Sequence, residues 1–389
     1  MEMAGIVVGL RRRGVVLWPA LCLVGLAATP AVPGADDPSC KQSLWQKATQ
    51  VHQRIWQEFV CPETFQIYTY LAPKAFRPLL PSYADIAANK PNAAGWGTAI
   101  ENCALDGGVY LGALVDRYAM TARPEHAREA RKIYSGLRLI HSVAERRGCI
   151  MRGVMPDRKT HYGESSVDQY TMYVYGLWRF FHSPVATEKE KAEIRMIFKT
   201  LLERLEADKF VILTDTGGRT TFGALDRLAP SRAERLLAIV LAGADVTGNP
   251  HWHEIYQHLR PPRMRHCRGK GGDPWVLVQN QLAFFLLRRL EKDPAVRKVY
   301  VAGSLEAARA CVPYLDPPAK SNRLAVINSL AGALTIALTE DREFITQHLD
   351  AIRHAVQAYD YRGSRSVNGL RSVECTVWSL ARQGLIRSK

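Results

Sequence analysis

The chain has 389 residues, of which 47% are hydrophobic and 23% charged, and it carries a net charge of +15. Such a composition excludes a disordered or collagen-like chain and leaves room for one large domain or two of ordinary size. No Walker loop, Rossmann glycine fingerprint, kinase motif or Gly-x-Ser-x-Gly elbow occurs, which sets aside the common nucleotide-binding and α/β-hydrolase chemistries.

Residues 1–35 read as a signal peptide. Arg11, Arg12 and Arg13 form a basic start, and Gly14 to Ala28 is a short apolar run interrupted by Pro19. Small residues then follow at Thr29-Pro30-Ala31 and Pro33-Gly34-Ala35. The run falls short of the roughly 20 apolar residues that span a bilayer. A secreted or periplasmic protein is expected, with a catalytic domain over 36–389 and no membrane insertion once the leader is removed. Outside the cytoplasm, the excess of 52 Lys and Arg over 37 Asp and Glu points to an acidic polysaccharide rather than nucleic acid. The oligomeric state leaves no mark in the sequence.

Helical periodicity dominates the rest. Leu44, Ala48, Val51, Ile55 and Phe59 recur at spacings of three and four. Ile100, Cys103, Ala104, Gly107, Leu111, Leu114, Val115 and Tyr118 do the same. Further amphipathic runs cover 124–147, 166–182, 187–207, 231–247, 273–291, 303–315, 321–338, 341–359 and 368–384. Ser166 to Gln169 and Thr187 to Glu190 have the capping-box spacing. One strand is expected over Phe210 to Leu213, before the turn Asp215-Thr216-Gly217-Gly218. The stretches 60–97, 148–165 and 260–274 read as irregular. About twelve helices make six to seven hairpins in one domain, which predicts an all-α fold, an α/α toroid with inner helices ringed by outer ones. The helices from Asn102 and from Asp168, rich in small and aromatic residues, are the inner candidates. The charged run 187–207 is an outer one.

Seven cysteines beyond residue 35 are widely spaced with no CxxC, so buried free thiols are expected. His251, His253 and His258 miss the HExxH spacing. Neither a metal nor a cofactor is expected. The basic stretch from Arg260 to Lys270 offers charge for an anion or for solvent.

Two long irregular stretches run into the two inner-helix candidates, bringing Trp96, Glu101 and Asn102 to one helix start and Arg152, His161, Tyr162, Glu164, Asp168 and Gln169 to the other. Asp106 shares a helix face with Asn102, and Tyr173 with Gln169. Tyr170 and Tyr173 lie where a pocket meets core. Trp275 and Gln279 open another helix. Gly95-Trp96-Gly97, the run Glu101 to Gly108, and His161-Tyr162 through Tyr173 resemble the corresponding character of secreted α/α-toroid carbohydrate-active enzymes, most like toroidal polysaccharide lyases acting on glucuronan or alginate. The resemblance implies β-elimination on a uronate-containing polysaccharide. That chemistry needs groups that neutralise the uronate carboxylate, for which Asn102, Gln169 and Arg152 are suited. It needs a base, His161 or a tyrosinate, and an acid, Tyr162 or Tyr170. Trp96 and Trp275 would stack on sugars, with Glu101, Asp106, Glu164, Gln169, Tyr173 and Gln279 as further binding groups. The alternatives are a glycoside hydrolase pairing Asp106 with Glu164 or Asp168, and a non-catalytic glycan-binding toroid.

Overall fold

Ser43, Ser166, Thr187, Asp273 and Asp293 each place a side-chain oxygen on the free N–H groups that open a helix. The computed structural model describes residues 43–73, 76–90, 95–269, 271–316 and 323–386. The leader expected at 1–35 lies outside them. In chain order the helices are α1 (Leu44–Arg54), continuing into a π-helical turn at Ile55–Phe59, α2 (Tyr83–Ala87), α3 (Cys103–Thr121), α4 (Pro124–Ser142), α5 (Val167–Phe181) and α6 (Glu188–Ala207). The hairpin β1 (Val211–Leu213) and β2 (Arg219–Ala224) follows. Then come α7 (Ala233–Thr247), α8 (Pro250–Met264), α9 (Pro274–Leu290), α10 (Pro294–Cys311), α11 (Arg323–Ala337), α12 (Arg342–Gln347), α13 (Leu349–Ala358) and α14 (Val367–Arg382).

Six of these helices close a ring. Each of α3, α5, α7, α9, α11 and α14 packs on the next, and α14 packs back on α3. They are buried nearly all round, as helices enclosed by protein must be. The outer layer, including α4, α6, α8 and α10, buries one face only. On α6 that face is Ile194, Ile197, Phe198, Leu201, Leu202 and Leu205. Each outer helix returns the chain to the same side, so the inner helices all begin on one face of the ring. The fold is the α/α toroid expected from the sequence. The first outer helix, α1, packs on the last inner helix, α14. There His52 bonds Glu374 at 2.8 Å and Glu129 at 3.1 Å, while the Tyr110 hydroxyl lies 2.8 Å from its ring.

Inner helices α3 and α5 touch backbone to backbone. A Cβ on Gly108 would lie 2.1 Å from the Met172 carbonyl oxygen, and one on Gly176 would lie 2.3 Å from that of Gly108. Only glycine fits at either place.

Several expected boundaries move. The helix expected at 303–315 begins at Pro294, because Asp293 caps Ala295 and Val296. The run 341–359 breaks at His348 into α12 and α13. The stretch expected to be irregular from 260 is helical to Met264 despite Pro261 and Pro262, since Trp252, Tyr256, Leu259 and Arg263 form a buried stripe at spacings of four and three. The expected strand gains a partner, β2. The six described cysteines, from Cys61 to Cys375, are buried and free.

Replacing Gly176 with alanine is expected to lower the unfolding free energy by about 2–3 kcal/mol through overpacking. Gly363→Ala, where a Cβ meets nothing within 4 Å, should change it by less than about 0.5 kcal/mol. Urea denaturation followed by circular dichroism checks both.

Candidate functional site

The first turn of α3 is capped from elsewhere in the chain. The Arg152 carbonyl accepts from Ala104 N at 2.8 Å, and Gln169 Oε1 accepts from Leu105 N at 2.9 Å. Gln169 Nε2 donates to Asn102 Oδ1 at 2.7 Å. The capping box expected at Ser166–Gln169 is therefore half made. Ser166 caps the Gln169 N–H, but the Gln169 amide crosses to α3 instead of folding back. The starts of α3 and α5 thus form one wall.

That wall borders a cavity of about 200 Å³ lined by Glu101, Asn102, Arg152, Ser166 and Asp168, with Trp96, Phe222 and Trp275 as aromatic sides. Phe222 reaches in from β2, and its ring centroid lies 5.4 Å from that of Trp96. Glu101 is held on both oxygens. Its Oε2 accepts from Gly97 N at 2.6 Å and its Oε1 from Asn102 Nδ2 at 3.2 Å. Burial nevertheless raises its pKa, against the lowering pull of the Gly97 N–H and Arg152. Asp168 pairs with Arg235 at 2.5 Å, and Arg235 is itself fixed by Asn280 Oδ1 at 2.8 and 3.0 Å. Arg152 is buried with three carboxylates around it: Glu101, Asp168 and Glu164. Its Nη1 makes only long bonds, 3.4 Å each, to the Glu101 carbonyl and Asn102 Oδ1. Its Nε has no protein partner. Glu164 is half-buried, and its pKa is raised by burial against the pull of Arg152.

Trp275 also lines a second, larger chamber of about 460 Å³ bordered by the starts of α9, α11 and α14. The Arg371 guanidinium stands 5.2 Å from the Trp275 ring centre. Arg371 also binds the fully buried Asp106, whose other oxygen accepts from Thr69 Oγ1 at 3.0 Å. Burial pushes the Asp106 carboxyl up to about 6 against those two partners. Asp106 is a tied ion pair away from the cavity lining, not a free member of a carboxyl pair.

The cavity thus gathers Trp96, Glu101, Asn102, Arg152, Asp168 and Trp275 from the residues expected, and Gln169 braces it. Other expected residues lie elsewhere. His161 Nδ1 bonds the Lys159 carbonyl at 2.8 Å and its Nε2 bonds Asp215 at 3.1 Å, so both ring nitrogens are committed. The Tyr162 hydroxyl donates to the Lys90 carbonyl, and burial raises its pKa. The Tyr170 oxygen accepts from Ile150 N at 3.1 Å, and burial pushes its pKa far up. The Tyr173 hydroxyl donates to the Leu137 carbonyl at 3.1 Å inside the core. None of these phenols is poised as phenolate. Gln279 is buried within α9, and its amide has no protein partner. Phe222, Arg235, Asn328 and Asn368 were not anticipated. Phe222 follows the recognised turn at 215–218, which signals a second strand. Asn328 lies in the second turn of α11 and Asn368 in the first turn of α14. Of the three histidines near residue 251, His251 pairs with Glu206 and His253 with Gln257. Among the described residues no cluster of three or more His, Cys, Asp or Glu could hold a metal.

No family model matches the chain, and no curated protein does. Among solved structures it is similar to a D-mannose isomerase, with 10% identity and a TM-score of 0.51, over 90% of this chain and 100% of that one. It is also similar to the GH76A α-1,6-mannanase of Salegentibacter sp. HEL1_6, with 8% identity and a TM-score of 0.50, over 88% of this chain and 99% of that one. At these identities the likeness is one of fold.

His161 is a latch between the 148–165 stretch and the hairpin turn that precedes Phe222. Burial lowers its pKa, but Asp215 and the Lys159 carbonyl outweigh that and raise it overall. Burial raises the Asp215 pKa, but His161 and the Glu145 and Arg146 N–H groups depress it. The His contribution is complete below the ordinary value of roughly 6.5 and lost as pH rises through the raised one; the Asp contribution is complete above roughly 3.9 and lost as pH falls through the lowered one. Measured by thermal melts, His161→Ala should cost about 1–3 kcal/mol near pH 5.5 and markedly less near pH 9. An equal loss at both values would show that the pair is not ionic.

Proposed function

We propose that the chain is a carbohydrate-active enzyme that cleaves glycosidic bonds with Glu101 and Asp168. The supporting observation is two carboxylates in unlike surroundings on one aromatic-walled cavity, Glu101 desolvated and Asp168 salt-bridged to Arg235. Glycoside hydrolysis uses such a division of labour. Glu101 protonates the leaving oxygen as its bond to the anomeric carbon breaks. Asp168 stabilises the cationic ring or takes the proton of the attacking water. Trp96, Phe222 and Trp275 supply faces for sugar rings. The names of the two similar structures concern mannose and mannan, a fold-level analogy that places mannose-containing glycans first among substrates to try. The apolar, basic leader read at 1–35 supports export to where such polymers occur.

A second reading keeps β-elimination on a uronate. It is favoured by the buried Arg152 on the cavity wall with its Nε unpartnered and by the net charge of +15. Because His161, Tyr162 and Tyr170 are engaged elsewhere, Glu101 or Asp168 would have to serve as the base. The two carboxylates beside Arg152 on that wall favour a neutral sugar instead.

A panel of α-mannan, xylan, β-glucan, alginate and glucuronan decides between them. Hydrolysis of a neutral glycan releases reducing ends without new ultraviolet absorbance, whereas elimination creates an absorbing unsaturated uronate. Glu101→Gln and Asp168→Asn should each lower kcat by about 100-fold or more, with little change in KM. No turnover on any polymer, or near-normal rates in both variants, would overturn the proposal.

A further inference from the structure

Helix α9 buries three amides in a row in the middle of an apolar run: Gln279, Asn280 and Gln281. A buried amide is costly unless it is bonded. Asn280 is bonded through both ends of its amide, and both bonds lead to α7 or the turn before it. Its Oδ1 accepts from Arg235 Nε at 3.0 Å and Nη2 at 2.8 Å, and its Nδ2 donates to Ser231 Oγ at 2.8 Å. Ser231 is fixed in turn. It stands in the left-handed region, at φ 63°, which is uncommon for a serine. Its N–H donates to Glu234 Oε1 at 2.9 Å. The third guanidinium nitrogen of Arg235, Nη1, meets Asp168 on the cavity wall. The Arg235 side chain is 1% exposed and that of Asp168 38%, so the buried cation fixes the place of the carboxylate.

An amide at position 280 also matters for charge. Other buried arginines of the inner helices are held by carboxylates, Arg371 by Asp106 and Arg179 by Asp116. A carboxylate offsets the charge of the guanidinium it grips. Asn280 grips Arg235 by two N–H groups and takes none of its charge. Glu234, beside Arg235 on α7, is fully buried. Burial pushes its carboxyl up to about 7, against the pull of Arg235 and the Ser231 N–H. Below that pH it too is mostly uncharged. The charge of Arg235 is thereby left for Asp168.

We infer that Asn280 is a positioning residue for the proposed hydrolysis: it aims Arg235 at Asp168 with its charge undivided, and so sets the Asp168 carboxylate on the cavity wall. This rests on the catalytic role given to Asp168 above. The machinery then extends over three inner helices, α5, α7 and α9, with a gripped cation behind one carboxylate.

Crystal structures and steady-state kinetics at pH 6 test the inference, on the wild type, Asn280→Leu, Asn280→Asp and Gln281→Leu. Asn280→Leu removes the grip. The Arg235–Asp168 contact should open beyond about 4 Å, and kcat should fall about 10- to 100-fold with KM within about 3-fold. Should that variant not fold, Asn280→Ser removes the same grip with a side chain too short to reach Arg235. Asn280→Asp keeps the grip and divides the charge. The contact should remain, while kcat falls about 3- to 10-fold. Gln281 is the neighbouring buried amide and bonds Ser304 of α10. Gln281→Leu should keep the contact and hold kcat within about 2-fold of wild type. A contact kept after loss of the grip would overturn the inference, as would near-normal kcat in Asn280→Asp or an equal loss of kcat in Gln281→Leu. If the wild type cuts no glycan, the hydrolytic reading falls by itself. The contact then decides the placement: lost without the grip, it stands, and kept, it fails.

Discussion

The backbone contact between α3 and α5 at Gly108 and Gly176 is the constraint on which the site depends. Two helices that meet without any Cβ between them bring their first turns within reach of one amide. Gln169 uses that closeness. Its side chain takes the Leu105 N–H and gives a hydrogen bond to Asn102. The Arg152 carbonyl takes the next free donor of the same turn, Ala104 N. With the helix start satisfied from outside, Asn102 does not have to fold its side chain over its own helix. It instead holds Glu101 and meets Arg152. A wider crossing would leave unmet N–H groups at a buried helix start.

The toroid turns that local contact into a cavity. All six inner helices begin on one face, so their partial positive ends converge there. Among the described residues, carboxylates at Glu101, Asp168 and Asp273 and the one lining cation, Arg152, occupy this face. The buried ion pair of Arg371 with Asp106 sits outside the lining and ties α14 to α3. Structural charge and site charge are thereby separated. Arg371 links them only through its contact with the Trp275 ring.

Much of this was legible in the sequence. Spacings of three and four marked nearly every inner helix, and the glycines of the Asn102 helix announced a close crossing. Two helix starts sixty residues apart stood out by the density of polar groups, and both border the same cavity. The phenols misled for a physical reason. A tyrosine at an inner-helix start faces either core or cavity by one turn of the helix, and partners from other segments decide which. Lys90, Ile150 and Leu137 supply those partners. His161 misled in the same way, because Asp215, its partner, lies in the hairpin turn. The second chamber was beyond reading, since its walls come from helices about 50 to 100 residues apart with no local pattern in common.

The central claim is that Glu101 and Asp168 act as one unit across the α3–α5 wall. The most direct measurement is turnover by the Glu101→Gln, Asp168→Asn double variant beside the two single variants, on whichever glycan the wild type cleaves. Groups that serve a single reaction step are strongly non-additive. The double variant should therefore be no slower than the worse single one by more than a few-fold. Losses that multiply would contradict the account and assign the two carboxylates to separate tasks.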